Sequence, residues 1–362
     1  MAYLPLSTAN LPDPAIDPAQ GSSPEDYFNT VLWTGNGTSQ TITGVGFQPD
    51  LVWGKGKSYA VNHALIDAVR GSNKFLESST SDAEDTLSTI ITSFDTDGFS
   101  VGSAGRLNTS GQTYVAWNWK ANGSGVSNTD GSITSTVSAN TTSGFSIVSY
   151  TGTGVGTIAT IGHGLDQAPD WIVVKSRDTS GRGWIVYHSS LGATKKLDLE
   201  DTDPAQTVTA NWNDTEPTST VFTVGTGGDT NTTDDFIAYC FHSVDGFSRM
   251  GKYVGNGSAD GPFVYTGFRP AFVMIKRTDS AGSWTMLDAT RDTYNEMDTI
   301  LVAEATSTET DFGTANRNMD FLSNGFKIRY TTAGGTTEMN ASGGTYIYMA
   351  FAENPFKYSN AR

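Results

Sequence analysis

The chain has one cysteine, four histidines and few charged residues for its 362 positions. Each shortage excludes something. With Cys240 alone no disulfide can form within the chain, and folding in a reducing cytoplasm suits it. Cys240 lies in the alternating run FIAYCFHS (236–243), which reads as a strand with a buried small apolar residue rather than a reactive thiol. The histidines, His63, His163, His188 and His242, form no i, i+2 or i, i+4 pair and have no cysteine cluster beside them. No zinc-type metal site and no cofactor is expected. Basic residues number 22 against 38 acidic ones, a net charge of −16. Counterion-release binding needs clustered lysine and arginine, so nucleic acid is not expected as a partner, and anionic lipid surfaces are disfavoured.

No run approaches the roughly 18 apolar residues of a membrane helix, so no membrane insertion is expected. The N-terminal stretch MAYLPLSTANLPDP lacks the basic region and apolar core of a signal peptide. No phosphate loop, dinucleotide fingerprint or nucleophile elbow occurs, and no heptad run supports a coiled coil. Charged residues are only 17% of the chain, which leaves no material for long amphipathic helices. Abundant glycine, serine, threonine and asparagine suit short strands joined by polar turns.

What is present is repetition. The phrases GFQPDLVWGK (46–55), GLDQAPDWIVVK (164–175) and GFRPAFVMIK (267–276) are variants of one another. Before each stands a strand and glycine turn: LWTGNG (32–37), SYTGTG (149–154) and KYVGNG (252–257). After each come HALIDAVR (63–70), WIVYHSSL (184–191) and WTMLDATR (284–291), and the units close on YVAWNW (114–119), FIAYCF (236–241) and YIYMAF (346–351). The period is that of a small domain rather than a solenoid repeat. The expected fold is all-β: three related antiparallel β-sandwich, jelly-roll-like modules in tandem, at 28–120, 145–246 and 247–362. Residues 121–144 read as a linker whose second half adds a strand. Residues 1–27, rich in proline, read as an extended arm with no core of its own.

Features shared by all copies serve the fold, so a functional site should be unique to one copy or lie between copies. Lys55, Lys175 and Lys276 recur at one strand end and are expected to snorkel or to pair locally. Asp67 and Asp288 recur, but His188 takes that place in the second module, which argues against a shared catalytic acid. DTDG (95–98) opens like a calcium loop but lacks the downstream glutamate, so a plain turn is expected. The acidic stretches ESSTSDAED (77–85) and DLEDTD (198–203) could hold a glycosidase carboxylate pair, but solvated loops are the simpler reading. Most tryptophans sit in strand patterns. Trp212, in the loop TANWNDTEPTS with Asn211, Asn213 and Asp214, is the candidate glycan contact.

NLPDPAIDPAQ, SPEDYFNTVLWTGNGTSQTITGVGFQPDLVW, DGSITSTVSANTTSGFSIVSYTGTG and GPFVYTGFRPAFVMIKRTD together resemble phage virion structural proteins of tail or tail-fibre type. These carry a repeated domain of unknown function and are common in marine phages. The resemblance covers nearly the whole chain and brings no catalytic residues. It implies a virion component, assembled in the host cytoplasm, most simply a non-enzymatic tail fibre or spike subunit contacting a host-surface glycan or protein. A capsid decoration or head-fibre protein and a glycan depolymerase are the alternatives. Family analogy implies a homo-oligomer, a trimer. The arm would anchor it to other virion proteins, with Leu4, Leu6, Leu11 and Ile16 buried against another subunit or a sister chain. Deleting residues 1–24 is then expected to leave melting unchanged.

Overall fold

The computed structural model describes residues 11–311, 318–329 and 339–359. The protein is all-β, and among the described residues the only helices are turns of three or four residues. The repeated phrases form the same strands in each of three units. In each, the closing strand lies between the opening strand and the lysine-bearing strand. Thr113–Trp119 lies between Phe28–Thr34 and Leu51–Gly56. Asp235–Phe241 lies between Phe145–Thr151 and Trp171–Ser176. Thr345–Pro355 lies between Ser248–Val254 and Phe268–Arg277. A fourth strand, Ala64–Asp67, Trp184–His188 or Thr285–Asp288, pairs with the lysine-bearing strand. A smaller sheet covers one face of this larger one, and each unit has its own core between them. In the first unit that core joins Ile42, Ile91 and Phe99 to Val52, Ile66 and Ala116. Cys240 lies fully buried in the core of the second unit. The segment 121–144 contributes two strands, Val126–Asn128 and Ser135–Asn140, that extend the second unit's sheet beyond its opening strand. Its first half, expected as plain linker, is thus the outermost strand.

The opposite faces of the three large sheets meet one another. Their side chains form one shared core that includes Trp53, Trp117, Trp171, Trp184, Trp284 and Phe272. This explains why Leu51–Gly56 is buried at every position: one face packs inside its unit and the other in the shared core. The last aromatic of each closing strand marks the centre. Trp119, Phe241 and Phe351 contact each other pairwise edge-on, with ring centroids 6.2, 5.6 and 6.0 Å apart, a geometry aromatic quadrupoles favour. A cavity of about 20 Å³ remains among side chains of all three units, Trp53, Trp171 and Met274 included. It is lined by apolar groups and is too small for a ligand.

The units are joined in a closed cycle. A hook from each (77–84, 198–205, 302–309) lies along the loop after the next unit's lysine-bearing strand. Backbone bonds run from Glu84 to Arg177 and from Gly181 to Ser81, and likewise Ala205 to Thr278 and Gly282 to Thr202. Glu309 to Lys57 and Val61 to Thr306 complete the cycle, at 2.7–3.0 Å throughout. The lysines are the fasteners. Lys175 Nζ donates to Ser81 O, and Lys276 Nζ to Thr202 O. Lys55 Nζ donates to Thr306 O and Ser307 O. Each also bonds a carbonyl in its own unit. The snorkelling or locally paired lysine expected from the sequence is therefore corrected: all three are fully buried, because the neighbour's hook covers them. On the strand beside each lysine the pattern repeats. Trp184 Nε1 donates to Glu77 O and Trp284 Nε1 to Asp198 O, each at 2.9 Å. In the first unit His63 stands in for the tryptophan. Trp53 Nε1 donates to its Nδ1, so its Nε2–H donates to Val302 O at 3.0 Å.

Burial pushes each of the three lysines down from 10.5 to about 8. Between those values the unfolded chain binds more protons than the folded one, so stability rises with pH across the window. We expect the urea midpoint to climb from about pH 8 to about pH 9.5. Above the ordinary tyrosine value of 10.0 the trend should reverse, since burial raises Tyr239 and Tyr253 and they ionise only on unfolding. A midpoint that falls steadily through the lower window contradicts this.

The arm is also corrected. Ile16 is fully buried in the shared core of its own chain, not held for a partner. Around it, Ala15 N donates to Asp245 O, Tyr358 Oη donates to Asp17, and Lys357 pairs with Asp13. Three facing sheets leave an open end that no unit can cover by itself, and residues 11–27 plug it. Removing residues 1–24 uncovers that end, so melting should not be indifferent to the deletion. Leu11 is half-buried beside Pro12 and Pro14, and Leu4 and Leu6 lie outside the described residues.

Candidate functional site

Three copies of one scaffold provide their own control. Most charged side chains that are buried serve the junctions. At the first-to-second junction, fully buried Asp67 accepts from Val69 N, Arg70 N, Arg70 Nε and Tyr239 Oη. Arg70 also meets Glu84, which pairs with Arg177 of the second unit. The third-to-first junction repeats this with Asp288, Arg291, Glu309, Lys57 and Trp117. At the second-to-third junction the same five positions hold His188, Leu191, Ala205, Thr278 and Met349. Charge is thus removed from both sides of one junction together, and burial pushes His188 down to about 4, keeping it neutral.

The acidic stretches are these hooks rather than solvated loops. Glu77 pairs with Arg106 and Glu84 with Arg70, Lys74 and Arg177. Asp198 pairs with Lys196, and Glu200 accepts from Trp184 N. Among the described residues no group of three or more His, Cys, Asp or Glu could hold a metal ion.

Trp212 is corrected as a glycan contact. It is 2% exposed and packs edge-on against Tyr187 in the second unit's core. A one-turn helix, Thr209–Trp212, ends in Asn213 and Asp214 at positive φ. That turn drives the indole inward and buries Asn211, while Asn213 is half-buried and only Asp214 exposed. Sequence could not separate a loop tryptophan that anchors from one that binds.

One place in one unit departs from the repeat at five positions together. The opening strand Ser248–Val254 forms the free edge of the third unit's large sheet, and Phe263–Tyr265 the free edge of its small sheet. Between them runs a groove of about 420 Å³ lined by Arg249, Lys252, Tyr253, Phe263, Tyr265 and Tyr348, with Ser190 from the second unit, and, among the described residues, by no Asp or Glu. In register, Gly251 faces Tyr348 where the other units pair Val31 with Ala116 and Val148 with Ala238. The swap is compensated. A Cβ at Gly251 would lie 2.6 Å from the Tyr348 ring, so only glycine admits the tyrosine. Arg249 stands where Asn29 and Ser146 stand, and its guanidinium lies beside the Tyr348 phenol. Burial pushes that phenol up, against the pull of the guanidinium. Phe263 and Tyr265 replace Thr41 and Thr43, and Thr160 and Gly162. They are 45% and 55% exposed.

In the second unit the equivalent edge is covered by Ser135–Asn140; in the third it is open. None of these groove residues was singled out from the sequence. The signal was there, in the differences between aligned copies rather than in their likeness. A wider depression of about 500 Å³ opens at the third-to-first junction near Asn62, Arg106 and Thr306, but its arginine is committed to Glu77.

The chain matches a family described as a domain of unknown function (DUF7483) over residues 23–355, and it belongs to that family. The match spans all three units as one. Neither curated proteins nor solved structures give a match.

Proposed function

We propose that this DUF7483 member is a non-enzymatic structural component of a phage particle, a tail-fibre or spike subunit that contacts the host surface through its third unit. The proposal draws its phage context from the long phrases that resemble virion proteins. Its site-level support is one observation: the open aromatic and cationic groove exists in a single unit, while the acids that might have paired for catalysis are tied into the hooks. Such a groove is concave, pre-formed and furnished for binding rather than for proton transfer.

A second reading is favoured by the closed cycle. Three like units around one core make a squat ring rather than a long shaft, which suits a capsid decoration protein seated on the head shell. The threefold assembly that fibres build from three chains is supplied here by three units of one chain, so association into a further trimer is not required by the fold.

A map of the particle separates these readings by where the chain sits: at the tail, the first stands; on the capsid, the second. Absence from purified particles overturns both. Incubation of the purified protein with host polysaccharide should release no reducing ends. Release that is lost on substituting one aspartate or glutamate would show a depolymerase instead.

A further inference from the structure

We propose that the groove of the third unit binds an acidic saccharide, one sugar ring stacking on Phe263 or Tyr265 while its carboxylate is held by Arg249. The inference rests on the host-contact reading above and names the ligand class of that site.

Nine arginines lie among the described residues. Eight of them have a carboxylate within 4.0 Å: Arg70, Arg106, Arg177, Arg182, Arg269, Arg277, Arg291 and Arg329. Arg249 is exposed and has none among the described residues, in a chain of net charge −16. Lys252, exposed three residues along the same strand, points from the opposite face, toward His188. Lysine on a free strand edge has a simpler use, keeping other strands away. That use does not call for an arginine diagonal to a tyrosine, nor for two exposed aromatics on the facing edge. A guanidinium offers a planar fork of donors that matches a carboxylate.

Exposed Phe263 and Tyr265 give flat apolar faces, and a pyranose presents a patch of C–H groups to such a face. Ser190 and the Tyr348 hydroxyl add polar contacts for ring hydroxyls. An acidic sugar is the ligand that uses all of these at once. A neutral sugar leaves Arg249 without a counter-charge, and a simple anion leaves both rings without contact.

The test uses the full chain and three probes: trigalacturonate, maltotriose and inorganic phosphate, each titrated by calorimetry at low and high salt. The expected result is binding of trigalacturonate, weakened by salt, with maltotriose and phosphate at least about tenfold weaker. Arg249→Asn, the residue of the first unit, should lower trigalacturonate affinity about tenfold. Phe263→Thr with Tyr265→Thr should do the same with no change in the melting temperature, since both side chains are exposed. Arg249→Ser, the residue of the second unit, serves as a second charge variant should Arg249→Asn disturb folding. Equal binding of maltotriose, phosphate binding as tight as trigalacturonate, or full affinity in the Arg249 variants overturns the assignment. So does the absence of any binding. None of these outcomes bears on where the chain sits in the particle, so the map tests the broader function separately.

Discussion

Arg70→Met should destabilise the protein by about 3–5 kcal/mol, because it leaves a buried carboxylate without its countercharge. Asp67 has no exposed surface, and its remaining partners are two backbone N–H groups and the Tyr239 hydroxyl. Glu84 loses one of its three cations in the same step. The protein itself contains the remedy. At the second-to-third junction the corresponding positions are all neutral. Copying that set onto the first-to-second junction means Asp67→His, Arg70→Leu, Glu84→Ala, Arg177→Thr and Tyr239→Met. The five together should recover most of what Arg70→Met loses, ending within about 2 kcal/mol of the natural protein. Chemical denaturation midpoints measure both. A five-substitution variant less stable than Arg70→Met would mean that the positions are not equivalent and that the neutral junction is held differently.

Ending the chain at residue 246 should abolish the soluble folded state rather than leave two intact units. Independent beads on a string would survive the cut. Here the third unit supplies Phe272, Met274, Trp284, Met349 and Phe351 to the shared core, against Trp117, Trp119 and Trp171 from the others. Cutting it away exposes those tryptophans as one apolar patch and leaves Lys55 without the two carbonyls of residues 306 and 307. Asp288, which accepts from Trp117 Nε1, leaves as well. A patch of that kind drives association in water. The natural chain should unfold in a single transition by calorimetry, with equal van't Hoff and calorimetric enthalpies. Two or three separated transitions, or a well-behaved 1–246 fragment, would show that the shared core contributes little.

The repeat was legible because it is written in local chemistry. T-G-N-G turns, a proline heading a strand and alternating apolar residues are set by neighbours in sequence, and the strands they predict are present in each unit. Strand Leu51–Gly56 could be read as buried on both faces, since apolar residues fall on both. Cys240 could be placed inside by its alternating neighbours. The recurrence of Lys55, Lys175 and Lys276 was visible too, though not its meaning. A lysine at a strand end looks the same whether water or a neighbouring unit's carbonyls receive it.

What only the tertiary structure decided is what each unit does with its second apolar face. Sequence shows that the face exists, and a sandwich accounts for one side of a sheet. The other side is covered by side chains of the other units, and no local pattern encodes which. The closure of three units on one core therefore fixed the lysines as fasteners, the acidic loops as hooks and Ile16 as a plug. It also turned Trp212 inward through a backbone turn at Asn213 whose positive φ leaves no periodic signature. The groove was decided the same way. Arg249, Gly251, Phe263, Tyr265 and Tyr348 span 100 positions, and they become one surface only when two free sheet edges of the third unit are brought side by side.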